Sequence, residues 1–357
     1  MAVVAFLCIV CEIRIPIPQI PNGILIITSS HYKVMKVTLV GGNGFGKLHG
    51  ESYKQLGIEF SVYDRNPDVL EFYRKNYGVK TVFNNLEDAI HSDSDIVDIV
   101  LPHNLHREVS ISAMELGKHV IMEKPIATTL EEATDIVEAS VKNDVKFMVA
   151  EQYNFDPSLN KAIELVADNS IGKVHSIIVR DQRDYRKTSW RTRKDQMGGG
   201  ALIDGGIHYV ETMLNIGGDY TKIDSYSYHG GSTLQGEDTT MALFHFTSGA
   251  HGNLFYSWAY RDAPRLPSYE IIGSEGSIYE DVNTRPIEEF KNMTGTRYVY
   301  GFPVLNGKKV DIKKEDVFNL EIKGFIDSVK NNTEVPYSHG KALRNLRAIL
   351  DIYQKGD

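Results

Sequence analysis

The feature that most constrains this chain is a rhythm that starts at Met35. Short apolar runs rich in β-branched residues recur at Val37–Val40, Phe60–Tyr63, Ile96–Leu101, His119–Met122 and Lys146–Ala150. Between them, Lys47–Leu56, Pro67–Asn76, His106–Leu116 and Leu130–Lys142 carry apolar residues at helical spacing. Short runs without polar alternation suit strands covered on both faces, as in a parallel sheet. Parallel neighbours need a crossover long enough to hold a helix, and such crossovers are right-handed. The spacing therefore predicts βαβ units and a doubly wound α/β domain over residues 35–153.

After Asn154 the rhythm changes. Pro157–Ala167 and Ala201–Asn215 read as helices, and Glu315–Lys330 and His339–Tyr353 close the chain with two more. Ser225–Tyr228, Met241–Phe246, Gly252–Trp258, Tyr269–Ile272 and Ser277–Tyr279 alternate as half-buried strands do. Residues 154–357 are thus expected to form an α+β domain on a large, mostly antiparallel open sheet. Residues 1–34 stand outside both patterns. Ala2–Val10 is apolar, but no basic stretch precedes it and no small-residue cleavage site follows, so a secretory signal fits poorly. Pro16, Pro18 and Pro21 interrupt any regular helix. This segment reads as an extension with no function assigned.

Composition removes several functional classes. With 42% hydrophobic residues there is ample material for a core, which excludes disorder as the main state. The 39 basic residues against 47 acidic ones give a net charge of −8, which repels phosphate backbones. The richest basic stretch, Arg180–Lys194, is interleaved with Asp181 and Asp184, so nucleic acid is not an expected partner. The two cysteines, Cys8 and Cys11, supply neither a disulfide framework nor a Cys-based zinc site. No apolar run reaches the roughly 18 residues of a membrane span, and a cytoplasmic location is expected.

The first chemical signal is Gly41-Gly42-Asn43-Gly44-Phe45-Gly46, which follows the first strand and opens a helix. A dinucleotide-binding turn needs that context: a tight bend, close approach to a pyrophosphate, and helix N–H groups aimed at it. Asn43 stands where the middle glycine of G-x-G-x-x-G belongs, and Asn tolerates left-handed backbone angles better than most residues. Asp64 ends the second strand about 20 residues on, where a carboxylate accepts from the adenosine ribose hydroxyls. That carboxylate would repel the 2′-phosphate of NADP, whereas the adjacent Arg65 would attract it. NAD is the expected cofactor, with NADP left open.

Two further elements sit at the carboxyl ends of predicted parallel strands, where open α/β sheets place ligands. Pro102-His103-Asn104-Leu105-His106 follows one strand, and Glu123-Lys124-Pro125 follows the next. Pro125 biases Lys124 towards an extended backbone, which carries its amine to the sheet edge to polarise a substrate oxygen. Pro102, Asn104, His106, Glu123 and Lys124 therefore join Gly41, Asn43, Gly44, Phe45, Gly46, Asp64 and Arg65 as expected cofactor contacts. His103 and His106 have no third ligand at suitable spacing, so no metal is expected.

The third element is Gly198-Gly199-Gly200 followed by Asp204-Gly205-Gly206-Ile207-His208. On a helix over Ala201–Asn215, Ile203, Ile207, Val210 and Leu214 form the apolar stripe, and Asp204, His208 and Glu211 the row beside it. Gly205 and Gly206 each cost about 1 kcal/mol there relative to Ala. Something must approach that backbone closely: a cofactor ring, a substrate, or a packed strand. Trp190 and Arg191, with Arg183, Tyr185 and Arg186, precede the glycine run and offer aromatic and polar groups to a substrate, as does Tyr153.

The glycine turn, Asp64, Pro102…His106, Glu123-Lys124-Pro125, Phe155-Asp156-Pro157 and Asp204-x-Gly206-x-His208 occur in an order that resembles the glucose–fructose oxidoreductase / inositol dehydrogenase / rhizopine-catabolism (Gfo/Idh/MocA) family. The resemblance runs over about residues 35–355 and implies a Rossmann domain, a second domain whose open sheet is used to form homodimers or homotetramers, and a nicotinamide between them. It implies that Lys124, Asp204 and His208 are the catalytic set, and that the substrate is a sugar, cyclitol or related polyol oxidised at a secondary alcohol. Histidine suits a general base because its ordinary pKa of about 6.5 lies near working pH. In this scheme Asp204 either orients His208 or accepts from a substrate hydroxyl, and Lys124 stabilises the alkoxide-like oxygen. The family also contains glycoside hydrolases that use NAD transiently, and a non-catalytic dinucleotide-binding module is the remaining alternative.

Overall fold

A computed structural model describes residues 35–186, 188–286 and 295–355. The readings made for residues 1–34, Cys8 and Cys11 included, lie outside them.

The first part alternates strand and helix: β1 (Val37–Val40), α1 (Phe45–Gln55), β2 (Phe60–Tyr63), α2 (Pro67–Tyr77), β3 (Val82–Phe83), α3 (Leu86–Ile90), β4 (Ile96–Ile99), α4 (His106–Glu115), β5 (His119–Glu123), α5 (Leu130–Lys142) and β6 (Phe147–Ala150). Local chemistry sets the helix ends. Asn66, Asn85 and Thr129 each accept a backbone N–H at the start of α2, α3 and α5, and Gly78 ends α2 in the left-handed region. The strands form one sheet in the order β3-β2-β1-β4-β5-β6, every pair parallel. β1 and β4 are buried along their whole length, as their unbroken apolar sequences require. The strand order reverses between β1 and β4, and the carboxyl ends of those strands frame a crevice. β4 stops at Ile99, short of the expected Leu101.

The second part comprises α6 (Pro157–Ala167), β7 (Val174–Gln182), α7 (Lys194–Met197), a π-helical turn (Leu202–Gly206), α8 (Ile207–Gly217), β8 (Tyr220–Tyr228), β9 (Thr239–Phe246), β10 (His251–Ser257), β11 (Tyr269–Gly273), β12 (Ser277–Glu280), β13 (Pro303–Leu305), β14 (Lys308–Lys309), α9 (Val317–Asn331) and α10 (His339–Lys355). Its eight-stranded sheet runs β14-β13-β12-β11-β7-β10-β9-β8, antiparallel except where β7 meets β10. One face is apolar and covered by α8, and the other carries exposed Tyr226, Tyr228, Met241 and Leu243.

The two closing helices return to the first sheet. Arg297 donates to the Leu48 carbonyl at 2.8 Å and to Ser52 Oγ at 2.6 Å while gripping Asp316, the cap of α9, so α9 is fixed to α1. On α10, a His339 ring nitrogen meets the Phe147 carbonyl of β6 at 2.8 Å. One apolar core therefore runs through both sheets.

Candidate active site

The glycine turn lies in the crevice. A Cβ on Gly41 would stand 2.1 Å from the Val100 carbonyl oxygen, and Gly41 has φ +104°, so only glycine lets β1 turn this close to β4. The left-handed residue at the mouth of α1 is Gly44, φ +57°, and not Asn43; Asn43 instead accepts the Gly44 N–H on its side-chain oxygen at 2.9 Å. No acidic residue stands in the first turn of α1, and among the described residues no side chain caps it. That leaves a helix N-terminus suited to a pyrophosphate. The Asp64 carboxylate is anchored beside the turn by the Gly42 N–H at 3.1 Å and the Asn66 N–H at 2.8 Å. A stripped glycine cradle, an open helix end and a fixed carboxylate at the second strand fit a dinucleotide. Arg65 is exposed next to it.

At the carboxyl ends of β4 and β5 the crevice narrows to a cavity of about 60 Å³ between Phe45, Pro102, Glu123 and Lys124 on one side and Trp190 and Arg191 on the other. A larger cavity of about 680 Å³ touches Val37, Phe60 and Lys54 at the opposite strand ends, where open α/β sheets do not bind their ligands. Lys124 is buried, and its Nζ donates to the Asp204 backbone carbonyl at 2.6 Å and to Asp204 Oδ1 at 3.3 Å. Asp204 Oδ2 takes the Arg191 Nε at 2.9 Å, and His103 Nε2 lies 3.7 Å from Oδ1. Burial alone would raise the Asp204 carboxyl, but Arg191, Lys124 and His103 outweigh it and hold it well below the usual range. The Trp190 ring meets the His103 ring edge-on at 4.9 Å and lies under the Arg191 guanidinium at 4.3 Å. His103 Nδ1 is held by the Met197 carbonyl, which only accepts, so Nδ1 carries the hydrogen.

His208 sits on the far side of Asp204 with a different partner. Its Nδ1 is 2.5 Å from Glu151 Oε1, and its ring stacks on Tyr153 at 4.1 Å with 8° between the planes. Asp204 is therefore not the residue that orients His208. Asp204 lies on a π-helical turn and is taken by Lys124 and Arg191, whereas His208, on the helix that follows, is taken by Glu151. Tyr153, expected against substrate, spends its ring face on His208 and is only 3% exposed. Glu123 joins the two halves. Burial raises its carboxyl, but a hydrogen bond from His49 and the charges of Lys124 and His208 bring it below the ordinary range. His49 lies between Glu123 (3.2 Å) and Asp98 (2.8 Å), and these carboxylates overcome its burial and raise its pKa well above 6.5.

Other expected residues fall differently. His106 begins α4, but it is buried with its ring nitrogens against the Pro125 and Leu101 carbonyls at 2.8 and 3.1 Å. It stitches together the loops after β4 and β5 and has no exposed surface for a cofactor. Asn104 is exposed on the short turn before it. The close approach expected at Gly205 and Gly206 is made by a strand: a Cβ on Gly205 would lie 2.1 Å from the Tyr256 hydroxyl and 2.8 Å from Trp258. In the basic stretch, Arg183, Arg186 and Arg193 pair with Asp181, Asp184 and Asp195. The sequence reading passed over Glu151, whose signal was an acidic residue ending a buried strand at the sheet's ligand-binding edge.

Comparison with known proteins agrees with the two-sheet fold. Residues 35–151 match the family model described as oxidoreductase family, NAD-binding Rossmann fold, and residues 159–279 match that of the GFO/IDH/MocA C-terminal domain. An uncharacterized oxidoreductase of Streptococcus pneumoniae is 33% identical over 261 residues, covering 70% of this chain and 69% of the relative. Levoglucosan dehydrogenase of Pseudarthrobacter phenanthrenivorans is 26% identical over 283 residues, 68% of this chain and 73% of that one. The crystal structure of an oxidoreductase from Thermotoga maritima superposes with a TM-score of 0.78 at 26% identity, over 90% of this chain and 96% of the other.

Proposed function

Because the chain belongs to the Gfo/Idh/MocA family of NAD-binding oxidoreductases, we propose that it oxidises a secondary alcohol of a sugar, cyclitol or related polyol, with Lys124, Asp204 and His208 acting on the substrate. The relative named levoglucosan dehydrogenase supports the carbohydrate class. The observation that carries the reading is the contact of Lys124 with Asp204 at the carboxyl edge of the first sheet, beside the glycine turn, with His208 on the following turn of helix.

Bound nicotinamide supplies the oxidant, accepting a hydride from the alcohol carbon. The backbone of Gly41–Gly46 and the Asp64 carboxylate would hold the dinucleotide, and Asp64 favours the form without a 2′-phosphate. Lys124 presents a desolvated ammonium to the substrate oxygen, where low dielectric strengthens its hold on developing negative charge. His208 takes the hydroxyl proton. Asp204 holds the Lys124 amine in place, and offers an acceptor to a neighbouring substrate hydroxyl. Arg191 and Trp190 close the crevice over the substrate.

Among the described residues no helix is long and apolar enough to cross a membrane. A cytoplasmic location and self-association through the outer face of the second sheet, at Tyr226, Tyr228, Met241 and Leu243, complete the proposal. The test is a spectrophotometric screen of sugars and cyclitols with NAD and NADP, followed by His208→Ala and Lys124→Ala on the best substrate. Each variant should lose turnover and keep cofactor binding. Near-parental kcat in either would remove that residue from the chemistry.

A further inference from the structure

Glu151 follows β6 and is 1% exposed. Its Oε1 accepts from the Tyr153 backbone N–H at 3.3 Å and meets His208 Nδ1 at 2.5 Å, while Oε2 is buried without a hydrogen-bond partner among the described residues. Tyr153 stacks on the face of the imidazole at 4.1 Å, which limits its rotation. We propose that Glu151 is a positioning residue for the reaction, fixing the His208 tautomer and accepting the Nδ1 proton as Nε2 takes the substrate proton. The inference rests on the reading of His208 as the base.

A carboxylate at Nδ1 keeps the hydrogen there and leaves Nε2 with its lone pair, the form a base requires. In the oxidation the substrate O–H bond breaks and its proton bonds to Nε2. The Nδ1 proton passes to Oε1, which leaves a neutral imidazole and a neutral carboxyl. The C–H electron pair would leave as hydride to a nicotinamide when one is bound, and the carboxyl proton returns to Nδ1 when Nε2 releases its own to solvent. Total protons and charge are conserved at each transfer.

The surroundings favour this exchange. Burial pushes the Glu151 carboxyl up to about 8, with Glu123 adding to the rise and Lys124 opposing it. Glu211 on α8 and Glu321 on α9 are also buried carboxyls in its field, and the Tyr337 phenol before α10 feels its charge. So many carboxyls in one dry region disfavour a full negative charge on each, so Glu151 is ionised and ready to hold Nδ1–H only above a pH of about 8, and once ionised it takes the Nδ1 proton at little cost.

The test is Glu151→Gln, whose amide oxygen still accepts from Nδ1 but takes no proton. In the cofactor-free protein, proton NMR should show a far-downfield imidazole N–H resonance, assigned by its loss in His208→Gln, that moves upfield in Glu151→Gln. With the screened sugar or cyclitol of highest turnover, the acid-side inflection of kcat/KM should move to lower pH by about one unit or more, since the raised Glu151 carboxyl no longer has to ionise first. The kcat plateau should fall by about 100-fold, with KM and cofactor affinity changed less than about twofold. Glu151→Asp should recover part of the plateau and keep the inflection nearer the parental pH. A parental plateau and inflection in Glu151→Gln, or an unmoved resonance, overturns the proposal. If Glu151→Gln fails to fold, Glu151→Asp decides: its shortened carboxylate should lower the plateau, and an unchanged one overturns the idea. Turnover surviving in His208→Ala sinks the base assignment itself, whereas an inactive His208→Ala beside a fully active Glu151→Gln removes only Glu151.

Discussion

Asp204→Asn removes the charge on which three cationic or polar groups converge while preserving shape. Lys124 and Asp204 side chains are 5% and 4% exposed, so solvent screens their attraction little; Arg191, at 24%, is partly screened. Removing one partner of a buried ion pair costs about 3–5 kcal/mol, mostly because the other charge is stranded. Here Lys124 keeps the Asp204 carbonyl at 2.6 Å and the nearby Glu123 carboxylate, which places the loss near the lower end, about 3 kcal/mol at pH 7. The pH dependence follows from the depressed carboxyl. Its contribution is fully present above the unfolded pKa of about 4 and fades as pH falls through the lower folded value. Urea titrations of parent and variant should therefore differ at neutral pH and converge in acid. Equal stability at pH 7, or a deficit undiminished at acid pH, would refute the reasoning.

Two further outcomes test the cradle and the packing. Asp64→Ala should weaken NAD binding and narrow the preference over NADP, read by cofactor titration; an unchanged ratio would mean that the carboxylate anchored by Gly42 does not face the ribose. Gly205→Ala should cost about 1–3 kcal/mol through overpacking, and less in a Tyr256→Phe background, because the hydroxyl is the atom a Cβ would strike; equal costs in both backgrounds would contradict that geometry.

The sheet edge was legible because its signals are local. Apolar runs without alternation marked buried parallel strands, and the glycine turn and Glu123-Lys124-Pro125 lie directly after two of them. β7 was missed because Arg180, Asp181 and neighbouring arginines look like surface in one dimension, yet Ile177 and Val179 face the core while Arg180 pairs with Glu270 on the next strand. Helical spacing paired Asp204 with His208, but it could not show that Glu151, at the end of a strand 57 positions away, is the carboxylate that meets the imidazole.

Sequence alone determined the strand–helix alternation that begins at Met35, the dinucleotide turn and the residue types available for chemistry, since each depends on neighbours within a turn or a strand. Only the tertiary structure decided who meets whom. Glu151 and His208 are 57 positions apart and Lys124 and Asp204 are 80, and contacts across such separations arise from how two sheets share one core. Their neighbours in that core also set the carboxyl groups apart: cations hold Asp204 low against its burial, whereas burial holds Glu151 high.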